Sequence, residues 1–207
     1  MLKIAVFASG RGSNFQAIID QIKRAKIPAE IKFLLSDQKN AGALKKAEKE
    51  GINSTFIDPA QFETELAYEK KLVSLLKEAQ VELIVLAGYM RILSPFFVKK
   101  FKKQIINIHP SLLPAFKGLA AQKQAVDYGV KYSGCTVHYV DQGMDTGPII
   151  KQAVVKVKPE DSAADLAARI LKKEHQIYPE VIKLIAESKL KIEGRKVKIL
   201  KEEQSLG

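Results

Sequence analysis

Short apolar runs alternate with amphipathic stretches through most of the chain, and this alternation limits the folds that the chain can adopt. Leu2–Ala8 is apolar except at Lys3, and the following stretch, Asn14–Ala25, carries its apolar residues at helical spacing. Strands that alternate with helices pair in parallel through crossover connections. The sequence therefore predicts an α/β protein with a mostly parallel twisted sheet and helices on both faces.

The same patterns predict the other elements of the sheet and its cover. Further strands are predicted at Ile31–Leu35, Thr55–Ile57, Leu83–Ala87 and Ile105–Ile108, and further helices at Ala41–Glu50, Phe62–Ala79, Phe96–Lys103 and Ala120–Asp127. The last third of the chain is predicted to be different, because its first β-rich stretches are separated only by turn-forming residues.

Thr136–Val140 and Ile149–Val157 flank that turn-rich segment, which predicts an antiparallel pair at the edge of the sheet. Asp161–Glu187 has a helical pattern that Pro179 is expected to kink or break. Two short β-like pieces follow in the tail, Leu190–Leu200.

Length and charge bound the class of protein. The 207 residues carry 34 Lys and Arg against 23 Asp and Glu, which gives a formal net charge of +11. No repeat or linker divides the chain, so residues 1–207 are expected to form one domain. A Lys-rich module that binds nucleic acid is one interpretation of the charge, but only five of the 34 cations are arginine, the residue that phosphate and guanine recognition favours.

The single cysteine, Cys135, cannot form an internal disulfide and is predicted to be a buried strand residue. Its presence without a partner fits a reducing compartment. The first apolar run is too short to span a membrane, and no secretory cleavage site follows a longer apolar region. The expectation is a cytoplasmic protein without a membrane partner.

A glycine-rich turn, Ser9–Asn14, joins the first predicted strand to the first predicted helix. Small residues at such a turn let backbone N–H groups and a helix N-terminus face an anion, which predicts a phosphate or ribose-phosphate site. Asp37, near the end of the second strand, suggests a dinucleotide site, but Phe15 occupies the third glycine position of that motif. A purely structural turn is the remaining alternative.

Asn107 and His109 lie two residues apart at the end of a predicted parallel strand. The alternation of side chains along a strand places both on one side of the sheet, at the edge where open α/β sheets bind ligands. An amide that polarises a carbonyl beside an imidazole that moves protons suits acyl transfer. The alternative is a histidine with a structural role.

Two acids, Asp141 and Asp145, lie in the loop between the strands of the antiparallel pair. They indicate either a catalytic carboxylate or ordinary turn chemistry. His138 on the preceding strand is open to both functional and structural interpretations, and His175 beside Glu174 is expected to be a solvated helix residue. The three histidines lack the spacing of metal ligands, so no metal site is predicted.

Together, the motifs resemble the phosphoribosylglycinamide formyltransferase family, the folate-dependent enzymes of purine synthesis. The resemblance extends from Ile4 to about Gly194, and its most specific segment is Asn107–Pro114. The segments that carry it are Ser9–Asn14, Leu86–Leu93, Asn107–Pro114, Thr136–Val140 and Asp145–Ile150. It implies a Rossmann-like formyltransferase fold, with a phosphate-binding half over about 1–104 and catalytic and folate-binding loops over about 105–207.

The resemblance also implies a reaction, in which the amine of 5'-phosphoribosylglycinamide attacks the formyl carbon of 10-formyltetrahydrofolate directly. Asn107 and His109 would stabilise the tetrahedral oxyanion, and Asp145 would tune His109 and relay the proton. The implied substrate contacts are Gly12, Ser13, Asn14, Pro110 and Glu174, the first three at the phosphate and the last at the ribose hydroxyls. The implied folate contacts are Met90, Arg91, Ile92, Leu93, Asn107 and Asp141.

Two positions depart from the family pattern. Many members carry an arginine that meets the folate tail where this chain has Glu65, so Lys70 or Lys71 would have to substitute or the tail would lie elsewhere. Lys117 stands where proline is common, in a loop whose shape is therefore less constrained.

Two other enzymes that use formyl-tetrahydrofolate are alternatives. A methionyl-tRNA formyltransferase would need a tRNA-binding C-terminal domain, for which little chain follows Leu190. A formyltetrahydrofolate deformylase usually carries an N-terminal regulatory domain before the first strand. The expected partners are small molecules rather than nucleic acid, and a homodimer is compatible with the resemblance.

Overall fold

The computed structural model describes residues 1–200, so residues 201–207 of the predicted domain lie outside the described part. The described residues form one sheet of nine strands with six α-helices. The strands are β1 (Leu2–Phe7), β2 (Ala29–Ser36), β3 (Ser54–Phe56), β4 (Leu83–Leu86), β5 (Ile105–His109), β6 (Tyr132–Tyr139), β7 (Ile149–Lys156), β8 (Leu190–Glu193) and β9 (Lys196–Ile199). The helices are α1 (Ser13–Lys23), α2 (Gly42–Lys49), α3 (Glu65–Glu78), α4 (Pro95–Lys100), α5 (Ala121–Tyr128) and α6 (Ala163–Ala186).

The strands follow the order β3-β2-β1-β4-β5-β6-β7-β9-β8. Strands β1 to β5 pair in parallel with their neighbours in this group, and β6 pairs antiparallel with both β5 and β7. This topology confirms the predicted α/β class. The β6–β7 pair is not outermost, however, because β9 pairs in parallel with β7 and forms an antiparallel hairpin with β8 at the edge. The tail therefore extends the sheet by two strands.

Alternate residues of the central strands fill two cores, one on each face of the sheet. Ile4 and Val6 of β1 face the core that α1, α2, α5 and α6 cover, whereas Ala5 and Phe7 face the core that α3 and α4 cover. Apolar residues that point to both faces are what a parallel strand under two helical layers requires.

Several elements differ in extent from the sequence prediction, most notably α3, β6 and α6. Helix α3 begins at Glu65 rather than Phe62, because Thr64 caps it by accepting the Ala67 N–H at 3.1 Å. Strand β6 begins at Tyr132, four residues before the predicted start. Helix α6 continues through Pro179, which lies buried within it.

The long helix α6 is tied to the centre of the sheet by Tyr178. This side chain is fully buried, and its hydroxyl lies 2.9 Å from the Leu86 carbonyl oxygen and 3.2 Å from that of Ile106. The contact bridges the last residue of β4 and the second residue of β5, so it fixes α6 against these two neighbouring strands. No helix within residues 1–200 is long and apolar enough to cross a membrane.

Candidate active site

The loops that follow β1, β4 and β5 emerge at one edge of the sheet, because these three strands are parallel neighbours. Leu86 pairs with Asn107 in the ladder, so the segment after β4 starts beside the end of β5. The predicted phosphate loop, the Met90–Leu93 segment and the Asn107–His109 pair therefore share one edge, as ligand sites of open α/β sheets do.

His109 is buried at the end of β5, with 5% of its surface exposed, and both ring nitrogens have neighbours. Its Nε2 lies 2.8 Å from the carbonyl oxygen of Phe116, which can only accept, so Nε2 carries a proton. Its Nδ1 lies 3.3 Å from Oδ2 of Asp145. The carboxylate and the carbonyl together fix the plane of the ring.

Asp145 links this ring to the neighbouring loop. Its Oδ2 accepts the Gly118 N–H at 2.8 Å, and its backbone adopts a left-handed conformation with φ of 51°. Burial acts to raise the pKa of the Asp145 carboxyl, but the contacts with His138, the Gly118 N–H and His109 outweigh it and hold the pKa below its ordinary value. The site therefore contains a stable carboxylate beside the imidazole.

His138 is part of this cluster, although its sequence context left its role open. The antiparallel register places it opposite Asn107, whose Nδ2 lies 3.3 Å from His138 Nε2. The other ring nitrogen, Nδ1, donates to the Tyr139 carbonyl at 2.9 Å. His138 Nε2 also lies 3.6 Å from Oδ1 of Asp145. The register of β5 on β6 is the signal that links these residues.

The turn after His109 is held by side chains of β6 and β7. The Thr136 hydroxyl donates to the Ser111 carbonyl at 2.7 Å and accepts the Leu113 N–H at 3.1 Å. Gln152 adds hydrogen bonds to the same hydroxyl and to the Leu113 carbonyl. Pro110 lies between His109 and this turn, so its position is fixed by both.

Asp141 has a structural contact that its predicted folate role did not include. Its Oδ1 accepts the Gly143 N–H at 3.1 Å and the Thr146 hydroxyl at 2.6 Å. A Cβ at Gly143 would lie 2.1 Å from that hydroxyl, so the turn accommodates only glycine there. The Asp141 side chain therefore shapes the loop that presents Asp145.

The glycine loop brings two helix N-termini together. Gly12 has φ of 70°, and a Cβ on it would lie 2.8 Å from the Cα of Ala43, in the first turn of α2. The first intrahelical bond of α1 is donated by Gln16 to Gly12, which leaves the N–H groups of Ser13–Phe15 without partners in the helix ladder. Free N–H groups beside two converging helix dipoles suit an anion.

A cavity of about 460 Å³ opens beside this loop. It is lined by Ser9, Gly10, Arg11, Gln38, Lys39, Asn40, Ala41 and Gly42. Arg11 and Lys39 add positive charge to the field of the helix termini.

The side chain of Asn14, predicted to contact the phosphate, is hydrogen-bonded to helix α6. Its Nδ2 donates to Oε2 of Glu174 on α6 at 2.7 Å, and both side chains are more than nine-tenths buried. Burial raises the pKa of the Glu174 carboxyl, and the Asn14 hydrogen bond only partly opposes this effect. Within residues 1–200, the buried Oδ1 of Asn14 has no hydrogen-bond partner. The structure thus joins two predicted substrate residues into one pair.

The predicted folate segment exposes apolar side chains. Met90 and Ile92 are 66% and 70% exposed, while Leu93 packs against the α3–α4 core. The Arg91 guanidinium stands 5.3 Å from the centre of the Tyr68 ring and 3.8 Å from Glu65 Oε1. Exposed apolar side chains next to an arginine fit a flat heteroaromatic group that carries carboxylates.

The other sites that the sequence raised have structural roles. Cys135 is fully buried, and burial raises the pKa of its thiol to about 12, so it is not a nucleophile. Within the described residues, no group of three or more His, Cys, Asp or Glu side chains is arranged to hold a metal ion. The loop that contains Lys117 is held by Gln124, whose Nε2 donates to the Leu119 carbonyl at 2.8 Å.

An amide and an imidazole that a carboxylate orients, at the carboxyl edge of a parallel sheet, form an arrangement that suits acyl transfer. Comparison with known proteins narrows this class. Residues 2–182 match the model of the formyl transferase family. The chain belongs to this family.

The relatives within the family share a more specific name. The chain is 46% identical to the phosphoribosylglycinamide formyltransferase of Bacillus subtilis (strain 168), over 88% of this chain and 94% of that protein. It is also 46% identical to the trifunctional purine biosynthetic protein adenosine-3 of Drosophila pseudoobscura pseudoobscura, over 91% of this chain and 14% of that longer protein.

Solved structures show the same grouping. The glycinamide ribonucleotide transformylase 1 of Symbiobacterium toebii superposes with a TM-score of 0.95 at 47% identity, over 97% of this chain and 95% of that one. A formyltetrahydrofolate deformylase from Pseudomonas syringae pv. tomato superposes with a TM-score of 0.89 at 26% identity, over 97% of this chain and 66% of that one. The fold is thus shared by both enzymes, and the higher identity is to the transformylase.

Proposed function

We propose that the chain transfers the formyl group of 10-formyltetrahydrofolate to the amine of 5'-phosphoribosylglycinamide, as a step of purine synthesis. The products are formylglycinamide ribonucleotide and tetrahydrofolate. The observation that carries the proposal is the position of Asn107 and His109 at one strand end, with Asp145 3.3 Å from His109 and a phosphate-type loop on the same edge.

The chemistry follows from the position of these donors. The substrate amine attacks the formyl carbon, a C–N bond forms, and the carbonyl oxygen becomes an oxyanion. Asn107 donates one Nδ2 hydrogen to His138 and keeps the other for this oxyanion. The Nε2–H group of His109 is the second donor to the oxyanion. In the free enzyme this group is hydrogen-bonded to the Phe116 carbonyl.

The proton balance involves Asp145. The attacking nitrogen loses a proton and the folate nitrogen N10 gains one when its bond to the formyl carbon breaks. The Asp145 carboxylate, which is ionised before the reaction and in contact with the His109 ring, accepts this proton through water and returns it to N10. No covalent intermediate with the enzyme is required, since a positioned amine is a sufficient nucleophile.

The binding residues divide between two substrates. The free N–H groups next to Gly12 would hold the phosphate, and the carboxylate of Glu174, supported by Asn14, would accept hydrogen bonds from the ribose. Pro110, at the end of β5, would border the reacting amine. The backbone of Met90–Leu93 and of the loop that Asp141 shapes would surround the pterin.

The net charge of +11 fits this assignment, because both substrates are anionic and a basic surface attracts them. We expect no nucleic-acid or membrane partner and a cytoplasmic location. A homodimer is part of the same proposal, and light scattering of the purified chain tests it.

The test offers the purified enzyme and 10-formyltetrahydrofolate three acceptors in separate reactions: 5'-phosphoribosylglycinamide, initiator methionyl-tRNA and water alone. The expected result is tetrahydrofolate release only with phosphoribosylglycinamide, and one formylated product per folate consumed. Rapid formate release without an acceptor would instead assign the deformylase reaction, and formylated tRNA would assign the tRNA reaction.

A further inference from the structure

The buried carboxylate of Asp37 takes no part in the reaction described above. Asp37 follows β2 and is only 5% exposed. It lies in a tight turn in which the Ser36 hydroxyl oxygen is 3.1 Å from the N–H of Gln38. Within residues 1–200, no lysine, arginine or histidine forms an ion pair with it. Burial of a carboxylate without a cation lowers the free energy of unfolding unless hydrogen bonds compensate for the lost hydration.

The main partner of Asp37 is Ser9, the residue just before the glycine loop. The Ser9 hydroxyl donates to Oδ1 of Asp37 at 2.6 Å, and the same hydroxyl accepts the Met90 N–H at 2.9 Å. A serine hydroxyl has one proton. Because this proton is used in the hydrogen bond to Asp37, the Ser9 oxygen can only accept a hydrogen bond from the Met90 N–H.

This arrangement connects the ends of three strands. Ser9 follows β1, Asp37 follows β2, and Met90 follows β4; the Ser9 N–H also donates to the Gly88 carbonyl at 3.0 Å. The phosphate loop and the proposed folate segment are therefore joined through Ser9, by its hydroxyl and by its backbone N–H. The Asp37 carboxylate, which suggested a dinucleotide site in the sequence, accepts from Ser9 at Oδ1 and from the Gln38 side chain at Oδ2, the latter at 3.4 Å.

We propose that Asp37 is a positioning residue for the folate co-substrate, acting through the Ser9 hydroxyl on the backbone at Met90. This inference rests on the proposed function. Met90 and Ile92 are mostly exposed, so the hydrogen bond from the Met90 N–H to Ser9 is one of the few contacts that hold this part of the segment. Loss of the Asp37 acceptor would free the hydroxyl to rotate and would loosen the segment.

The experiment compares four single variants of the full chain. D37A and S9A remove the two ends of the Asp37–Ser9 bond, D37N keeps an acceptor oxygen without the charge, and D161A serves as the matched control. Asp161 is also a carboxylate with a buried side chain, but it pairs with Arg169 at the start of α6. Steady-state kinetics are measured with each substrate varied in turn, and binding of 10-formyltetrahydrofolate is measured by calorimetry.

In D37A and S9A we expect the KM and Kd for 10-formyltetrahydrofolate to rise about tenfold, the effect of losing one well-formed hydrogen bond. The KM for phosphoribosylglycinamide and kcat should change less than about threefold. D37N should stay within about threefold of the parent, and D161A should lower thermal stability without changing the folate KM. The double variant D37A/S9A should be no worse than either single variant.

Several results would overturn the inference. D37A could raise the KM of both substrates equally, D37N could be as impaired as D37A, or the effects of D37A and S9A could add. If D37A does not fold, S9A and D37N still decide the question. A parent enzyme that binds folate but does not formylate phosphoribosylglycinamide would contradict the proposed function alone, because calorimetry would still test Asp37.

Discussion

The Nδ1 atom of His109 lies 3.3 Å from Oδ2 of Asp145, and that same oxygen accepts the Gly118 N–H. One carboxylate oxygen therefore contacts both the end of β5 and the loop after it. Because Phe116, in the same loop, accepts from the other side of the ring, His109 is oriented by the loop and the carboxylate together.

Replacing His109 or Asp145 should remove most of the turnover. We expect H109A and D145N to lower kcat by about 10²- to 10⁴-fold, the range for loss of a positioned acid–base group. The measurement is kcat at saturating concentrations of both substrates. D127N is the control, because Asp127 is exposed and pairs only with Lys123 on its own helix. Near-normal turnover in both folded variants would reject the assigned mechanism.

His138 should affect the rate without contacting substrate. H138Q removes the ring nitrogen that accepts from Asn107 and approaches Asp145, so both groups lose orientation. We expect kcat to fall about tenfold to a hundredfold with each KM within about threefold, since orientation effects act on the reacting geometry. H175Q is the matched histidine control on α6. A KM increase with unchanged kcat would show that His138 supports binding instead.

The buried Glu174 should stabilise binding at the expense of folding stability. Burial raises its pKa in the folded state, so its favourable contribution to folding is present below its unfolded pKa and is lost as pH rises through the folded pKa. E174Q should therefore gain stability relative to the parent as pH increases from about 4 to 8. Urea unfolding at each pH gives the free energies.

The same variant should bind phosphoribosylglycinamide more weakly. The loss of charge-assisted hydrogen bonds to the ribose predicts a KM increase of about tenfold to a hundredfold at neutral pH. E180Q, an exposed carboxylate later on α6 that pairs with Lys151, should change neither quantity. A stability difference that does not vary with pH would contradict the effect of burial on Glu174.

Glu65 should weaken the attraction of Arg91 for the folate carboxylates. Its carboxylate stands 3.8 Å from the Arg91 guanidinium and is half exposed, so the effect of E65Q is expected to be modest. We expect the KM for 10-formyltetrahydrofolate to fall about twofold to fivefold, and the effect to shrink as salt concentration increases. E78Q, an exposed glutamate at the other end of α3, is the control. An unchanged or higher KM in E65Q would place the folate tail away from Arg91.

Local sequence patterns predicted an element correctly where a strand is buried on both faces or a helix has a periodic apolar face. The continuous apolar run of β4 and the helical spacing of α1 led to the correct elements within a few residues. The start of β6 was harder, because Ser133 and Gly134 are typical of turns. Their burial depends on pairing with β7, where the Ala153 carbonyl approaches so closely that a Cβ at Gly134 would lie 1.9 Å from its oxygen.

In the candidate site, too, relationships within one strand could be predicted and relationships between distant segments could not. Asn107 and His109 were predictable because two positions on one strand share a side. The place of His138 depends on how β6 pairs with β5, and the contact of Asn14 with Glu174 joins residues 160 positions apart. Neither relationship leaves a local pattern, so the sequence indicated the residue types at the site but not which side chains contact each other.

The left-handed backbone at Asp145 separates two kinds of conservative replacement. Asparagine tolerates this conformation about as well as aspartate, so D145N keeps the loop and loses the charge. Glutamate keeps the charge but fits a left-handed backbone poorly and has a longer side chain, so D145E disturbs the Gly118 and His109 contacts together. Substitution tables that rank glutamate as the milder change would therefore misjudge this position, where chemistry and backbone geometry together favour a single residue.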